Sequence, residues 1–101
     1  MIIYNVTTKV AHSIASDWLH WIKKEHIPDV VGTGCFTHAV VLHLLDTDES
    51  EGITYAVQYH SKNKELYSRY ISEFADEMRK KAIEKWGDQF IAFRSLLSII
   101  N

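Results

Sequence analysis

The sequence predicts an α+β domain whose elements run strand, helix, strand, strand, helix, strand. Three observations carry that prediction. Runs rich in Val, Ile, Tyr, Phe and Thr occupy residues 2–8, 35–45, 53–60 and 90–100, as strands require. Two longer segments between them repeat apolar residues at helical spacing. The gap between the second and third runs is short and polar, which leaves room for a hairpin loop but not for a helix.

Each element has its own signals. Ser13 is the expected N-cap of the first helix. There Ile14, Trp18, Trp21 and Ile22 recur on one stripe with Ala15 and Leu19 beside them, and Ser16, Asp17, His20, Lys23 and Lys24 take the other side. Pro28 disfavours helical geometry at Ile27, so this helix is expected to end near His26. Gly32 and Gly34 punctuate the loop that leads into the second strand. Residues 46–52 are acidic and lack a large apolar side chain, which marks the hairpin loop. Ser61 or Asn63 is the expected cap of the second helix, whose stripe is Leu66, Tyr70, Phe74, Met78, Ala82 and Trp86, widened by Tyr67, Ile71 and Ala75. Gly87 suits the position just past its end. Arg79, Lys80, Lys81 and Lys85 sit late in that helix and read as a solvated face that complements the helix dipole.

Strand one reaches strand two through a helix, strand three reaches strand four through another, and a hairpin joins the middle pair. This is the split βαββαβ arrangement of ferredoxin-like folds: a four-stranded antiparallel sheet with two helices on one face. The helices cover one face only, yet two strands are apolar on both. In strand two, Phe36, Val40, Leu42 and Leu44 oppose Cys35, Ala39, Val41 and Leu45; in strand four, Phe90, Ala92, Leu96 and Ile100 oppose Ile91, Phe93, Leu97 and Ile99. A strand with one wet face would alternate apolar and polar residues. Each large apolar side chain left in water forgoes roughly 1.5–3 kcal/mol of burial. The expected remedy is a homodimer through the helix-free sheet face, a dimeric α/β barrel, with cover by a loop or a C-terminal segment as the alternative.

Composition bounds the function. The 101 residues fit one domain, 1–101, and a net charge of −2 provides no basic field for nucleic acid. The third strand and its approach, 51–59, hold a Gly and two Tyr but begin on the acidic Glu51, unlike the basic aromatic octapeptide of RNA-recognition domains. One cysteine, Cys35, rules out an internal disulfide. With no signal-peptide pattern at the start and no apolar run of about 20 residues, the expectation is a cytoplasmic protein without a membrane span. The six histidines show no metal-ligand spacing, and there is no phosphate-binding Gly-rich loop or nucleophile elbow. Neither a metal nor a cofactor is expected.

Several residues remain as candidates for chemistry. His26, beside Ile27-Pro28, is either a general base or a helix-terminal imidazole that favours the dipole. Asn5, the one amide in strand one, belongs either to a pocket or to a wet edge. Gln58 and His60 share one face of strand three, and Tyr55 and Tyr59 the other. Arg94 interrupts an apolar strand and either anchors an anionic ligand or pairs with a carboxylate across a dimer. Trp18, Trp21 and Trp86 lie on helix stripes and read first as core.

Tyr4-Asn5-Val6-Thr7, Trp18-x-x-Trp21 followed by Glu25-His26-Ile27-Pro28, Thr54-Tyr55-Ala56-Val57-Gln58-Tyr59 and Phe93-Arg94-Ser95-Leu96-Leu97 together resemble the DUF4286 family of small bacterial proteins. The resemblance spans nearly the whole chain and implies a dimeric α/β barrel without an established activity. More distantly the fold resembles antibiotic-biosynthesis monooxygenases and EthD-like proteins. Some of those use an Asn on strand one, a Trp and a His in a cavity between sheet and helices, which implies comparable places for Asn5 and His26. The second helix lacks the His that haem-degrading relatives use as iron ligand. The expected function is binding of a small hydrophobic or aromatic metabolite in a helix–sheet pocket, with cofactor-independent oxidation or isomerisation as its catalytic form. In that form Asn5 and His26 are catalytic, and Trp21, Tyr59, His60 and Arg94 bind ligand. The alternative is a non-catalytic dimeric module that binds a ligand or a protein.

Overall fold

A computed structural model describes residues 1–101. Strand β1 (Ile2–Val10) is followed by a 3₁₀ turn (His12–Ile14), helix α1 (Ala15–Trp21), a π turn (Ile22–His26) and helix α2 (Ile27–Val31). Then come β2 (His38–His43), β3 (Ile53–Ser61), α3 (Lys64–Glu73), α4 (Ala75–Trp86) and β4 (Phe90–Ser98). The sheet order is β2-β3-β1-β4, and every neighbouring pair is antiparallel. Each helical crossover therefore steps over one strand, and the two crossovers interleave. This is the ferredoxin-like α+β fold that the element order predicts.

Register assigns the two faces. Tyr4, Val6, Thr8 and Val10 of β1 lie in rows with Tyr59, Val57, Tyr55 and Ile53 of β3, and with Leu96, Arg94, Ala92 and Phe90 of β4. This face meets the helices. Tyr4 is its centre, with the rings of Phe36, Tyr59, Tyr67 and Tyr70 at 5.5–6.1 Å. Val10, Val57 and Val30 are almost fully buried in the same core; each such side chain contributes roughly 1.5–3 kcal/mol. The opposite face carries no helix. There Val40, Leu42, Ile91, Phe93 and Leu97 stay exposed, Phe93 by 69% and Ile91 by 59%, a large apolar surface for one chain.

Several elements differ from their predicted course, and four of the differences have a local reason. Ser13 does not cap α1, because the chain enters through a 3₁₀ turn and the cap positions Ala11 and Ile14 make no side-chain capping bond. The first helix does not stop at Pro28. In the π turn the N–H of Ile27 bonds to the carbonyl of Ile22. Pro28 then enters α2 in its first turn, where its absent N–H is not missed. Strand β2 begins at His38 rather than at residue 35, since Cys35 and Phe36 are both buried in the preceding loop instead of alternating. The second helix is capped by Asn63, whose side chain accepts from the N–H of Leu66 at 2.9 Å, and it bends at Phe74 (φ −127°, ψ −28°). Just before the bend the Ser72 hydroxyl donates to the carbonyl of Arg69 at 3.2 Å, a back-bond of the kind that bends helices. Gly87 ends α4 at φ +62°, outside the range of most side chains.

Candidate functional site

Between the helices and the helix-facing side of the sheet lies a cleft with a cavity of about 60 Å³. Twelve of its sixteen lining residues are hydrophobic, and the polar ones are Thr8, His26, Arg79 and Arg94. Trp18 and Trp21 enter from α1, three positions apart and therefore on one helix face. Tyr59 comes from β3, Tyr70 from α3, and Phe90 and Arg94 from β4.

The π turn brings His26 to this site. In a regular α-helix, residues five apart point about 140° away from each other. The wider turn, closed by a bond five residues long, brings positions 21 and 26 to one side. The rings of Trp21 and His26 then stack with centroids 4.7 Å apart and planes 29° apart. Trp86 holds Trp21 from the other direction, edge to face at 5.9 Å. Burial pushes the His26 pKa down to about 4. Lys81 and Arg94 push the same way, and Asp29 opposes them. At neutral pH the ring is a neutral imidazole with one donor and one acceptor nitrogen.

Burial raises the phenols of Tyr59 and Tyr70 above their usual range, so both act as neutral hydroxyls. Arg79 reaches into the cleft from α4 and donates to the Tyr4 hydroxyl at 3.2 Å. Sequence reasoning put Arg79 on a solvated face. The missed signal is its spacing, four after Ala75 and three before Ala82, both on the packed stripe of the helix. The π turn was missed for a related reason: Pro28 reads as a stop, whereas the spacing of Trp21 and His26 has meaning only once the turn is known.

The six predicted site residues fall into two groups. Trp21, His26, Tyr59 and Arg94 meet in the cleft. Asn5 and His60 do not: they belong to the other row parity and lie on the helix-free face. The expectation that Asn5 and His26 share a cavity is therefore corrected, since the sheet separates them. Asn5 is buried among polar neighbours on that face. Its amide nitrogen donates to Thr7 Oγ1 at 3.0 Å and Ser95 Oγ at 3.3 Å, and its carbonyl oxygen accepts from Gln58 at 3.3 Å. His60 stacks on His38 with centroids 4.3 Å apart, and desolvation and that neighbour lower its pKa. No three His, Cys, Asp or Glu side chains gather as a metal centre needs, and no helix is long and apolar enough to cross a membrane.

A family model described as "Domain of unknown function (DUF4286)" matches residues 1–100. No curated protein sequence matches the chain. Among solved structures the chain is similar to a dimeric ferredoxin-like protein from an uncultured marine organism, with a TM-score of 0.74 and 9% identity over 99% of this chain and 95% of that one. It is also similar to SnoaB, a cofactor-independent oxygenase from Streptomyces nogalater, with a TM-score of 0.69 and 10% identity over 99% and 94% of the two chains. A third likeness is to an ethyl tert-butyl ether D (EthD) family protein from Bacillus halodurans, with a TM-score of 0.64 and 11% identity over 98% and 100%. At such identities these likenesses show a common fold.

Proposed function

The chain belongs to the DUF4286 family, and from that membership together with its cleft we propose that it binds a small hydrophobic or aromatic metabolite between helices and sheet, as a homodimer. The observation that carries the reading is the aromatic-walled cleft with a neutral imidazole stacked on Trp21 at its side. Clefts of this kind, mostly apolar with a few convergent polar groups, are the usual form of small-molecule sites. The homodimer rests on the apolar helix-free face and on the first structural likeness, a protein described as dimeric. The lone thiol, Cys35, is buried and unpaired, in keeping with a reducing, cytoplasmic setting.

In its catalytic form the reading gives His26 the role of base. The imidazole takes a proton from an activated C–H of the ligand and returns it to another carbon, which is an isomerisation, or the resulting carbanion reacts with dioxygen. SnoaB is described as a cofactor-independent oxygenase, and that chemistry comes to this chain only as part of the proposal. Asn5 has no part in it from the far face of the sheet. Binding without turnover is the second reading. It is favoured by the low basicity of His26, well below the near-neutral range of an efficient base.

Titration of the protein with a panel of small aromatic metabolites, followed by tryptophan fluorescence, tests the proposal. At least one compound is expected to bind, with His26→Gln weakening it and Asn5→Ala leaving it unchanged. Absence of any binder tighter than about 1 mM, equivalent to about 4 kcal/mol, would overturn it. Turnover of a bound compound that is lost in His26→Gln supports the catalytic form; binding without turnover supports the second reading.

A further inference from the structure

The charged groups that line the cleft are of one sign. Arg79 and Arg94 line it, and no aspartate or glutamate does. Arg79 uses one donor on Tyr4, whereas Arg94 has no ion-pair partner in the chain. Arg94 projects from β4 on the helix-facing side, in the row of Val6 and Val57. Its charge is felt at both His26 and Tyr70. The carboxylate that acts on the cleft from its margin, Asp29, already lies 3.9 Å from Lys81. A guanidinium is charged at every physiological pH and presents a planar fork that matches a carboxylate.

We propose that the ligand of this cleft is an aromatic or similarly planar carboxylic acid, bound as its anion, with the ring against Trp21 and the carboxylate on Arg94. The inference rests on the reading that the cleft is a ligand site, and it adds the class of ligand. The cavity of about 60 Å³ is well below the roughly 300–1,000 Å³ of sites that enclose drug-sized molecules. A dry cavity that encloses benzene is about 150 Å³, so the cleft takes at most one ring, held partly at its open mouth, where Arg94 is exposed. His26 in its neutral form contributes one N–H to the carboxylate. Arg79 adds a second positive charge from the helix side.

Benzoate and phenylacetate, each paired with its uncharged amide, are the probes. Calorimetric titration of the wild-type protein at fixed salt is expected to give acids at least about tenfold tighter than their amides, the scale of a charge-assisted bond. Arg94→Gln should remove that preference, and Arg94→Lys should restore part of it. The His26 ring, followed by NMR, should titrate at higher pH in the benzoate complex than in the benzamide complex, because a nearby anion favours imidazolium. Amides binding as tightly as acids, or a preference that survives Arg94→Gln, would overturn the anionic class while the aromatic site stands. If neither acids nor amides bind, both readings fall. Light scattering of Arg94→Gln supplies a further arm: a variant that becomes monomeric assigns Arg94 to the subunit contact and overturns the proposal.

Discussion

Replacing His26 with glutamine should flatten the acid side of the protein's stability profile. The imidazole has an ordinary pKa of 6.5 and is held at about 4 in the folded chain, chiefly by burial, with Lys81 and Arg94 adding and Asp29 opposing. Between those values the unfolded chain binds a proton that the folded chain refuses. The stabilising contribution of the neutral ring is thus complete above the unfolded value and is lost as pH falls toward the folded one. Two and a half units correspond to about 3 kcal/mol for the whole shift, and to about 2 kcal/mol between about pH 7.5 and about pH 5. His60, also shifted down, contributes in the same direction in both proteins and drops out of the comparison. Urea unfolding of wild type and His26→Gln at both pH values, at one protein concentration because subunit association alters apparent stability, gives the difference of differences. The wild-type protein should lose about 2 kcal/mol more than the variant, a large share of the marginal stability of a small domain. Equal losses in the two proteins would refute the argument, because the ring would then be as accessible to protons in the folded state as in the unfolded one.

Three further outcomes follow from the fold. Phe93→Asp places a charge on the 69% exposed ring of the helix-free face; light scattering should read twice the 11.7 kDa chain for wild type and a single chain for the variant, and a monomeric wild type would end the dimer proposal. Gly52→Ala sets a Cβ 2.3 Å from the carbonyl oxygen of Val10, a backbone clash expected to cost about 1–3 kcal/mol in denaturant unfolding. Asn63→Ala removes the cap on α3, with an expected loss of about 1 kcal/mol and a melting temperature lower by about 4–8 °C in a thermal scan.

The order of elements was legible because each has a period that no tertiary context needs to supply. Alternation marks the strands, and a stripe such as Leu66, Tyr70, Phe74 and Met78 marks the helix. The dense aromatic core around Tyr4 was only partly legible: Tyr70 and Phe36 announce burial, but nothing local says that they meet. The break at Phe74 and the π turn at Ile22–His26 were not legible. Both depend on the hydrogen bonds the backbone adopts once packed, and at Pro28 the local preference for a stop is overridden. Arg79 escaped notice because a late-helix cation in solvent is the commoner case, and only contact with the Tyr4 hydroxyl distinguishes it.

By itself the sequence determined that four strands and two helical crossovers form one ferredoxin-like unit, and that its strands carry more apolar surface than two helices can cover. It also determined which residues of a strand share a face, because side chains alternate with a period of two. It could not say which parity meets the helices. That depends on strand register and on the side to which the crossovers turn, properties of the assembled sheet rather than of any one strand. Tertiary structure made that choice: it placed Trp21, His26, Tyr59 and Arg94 on the helix-facing side and left Asn5 and His60 on the other.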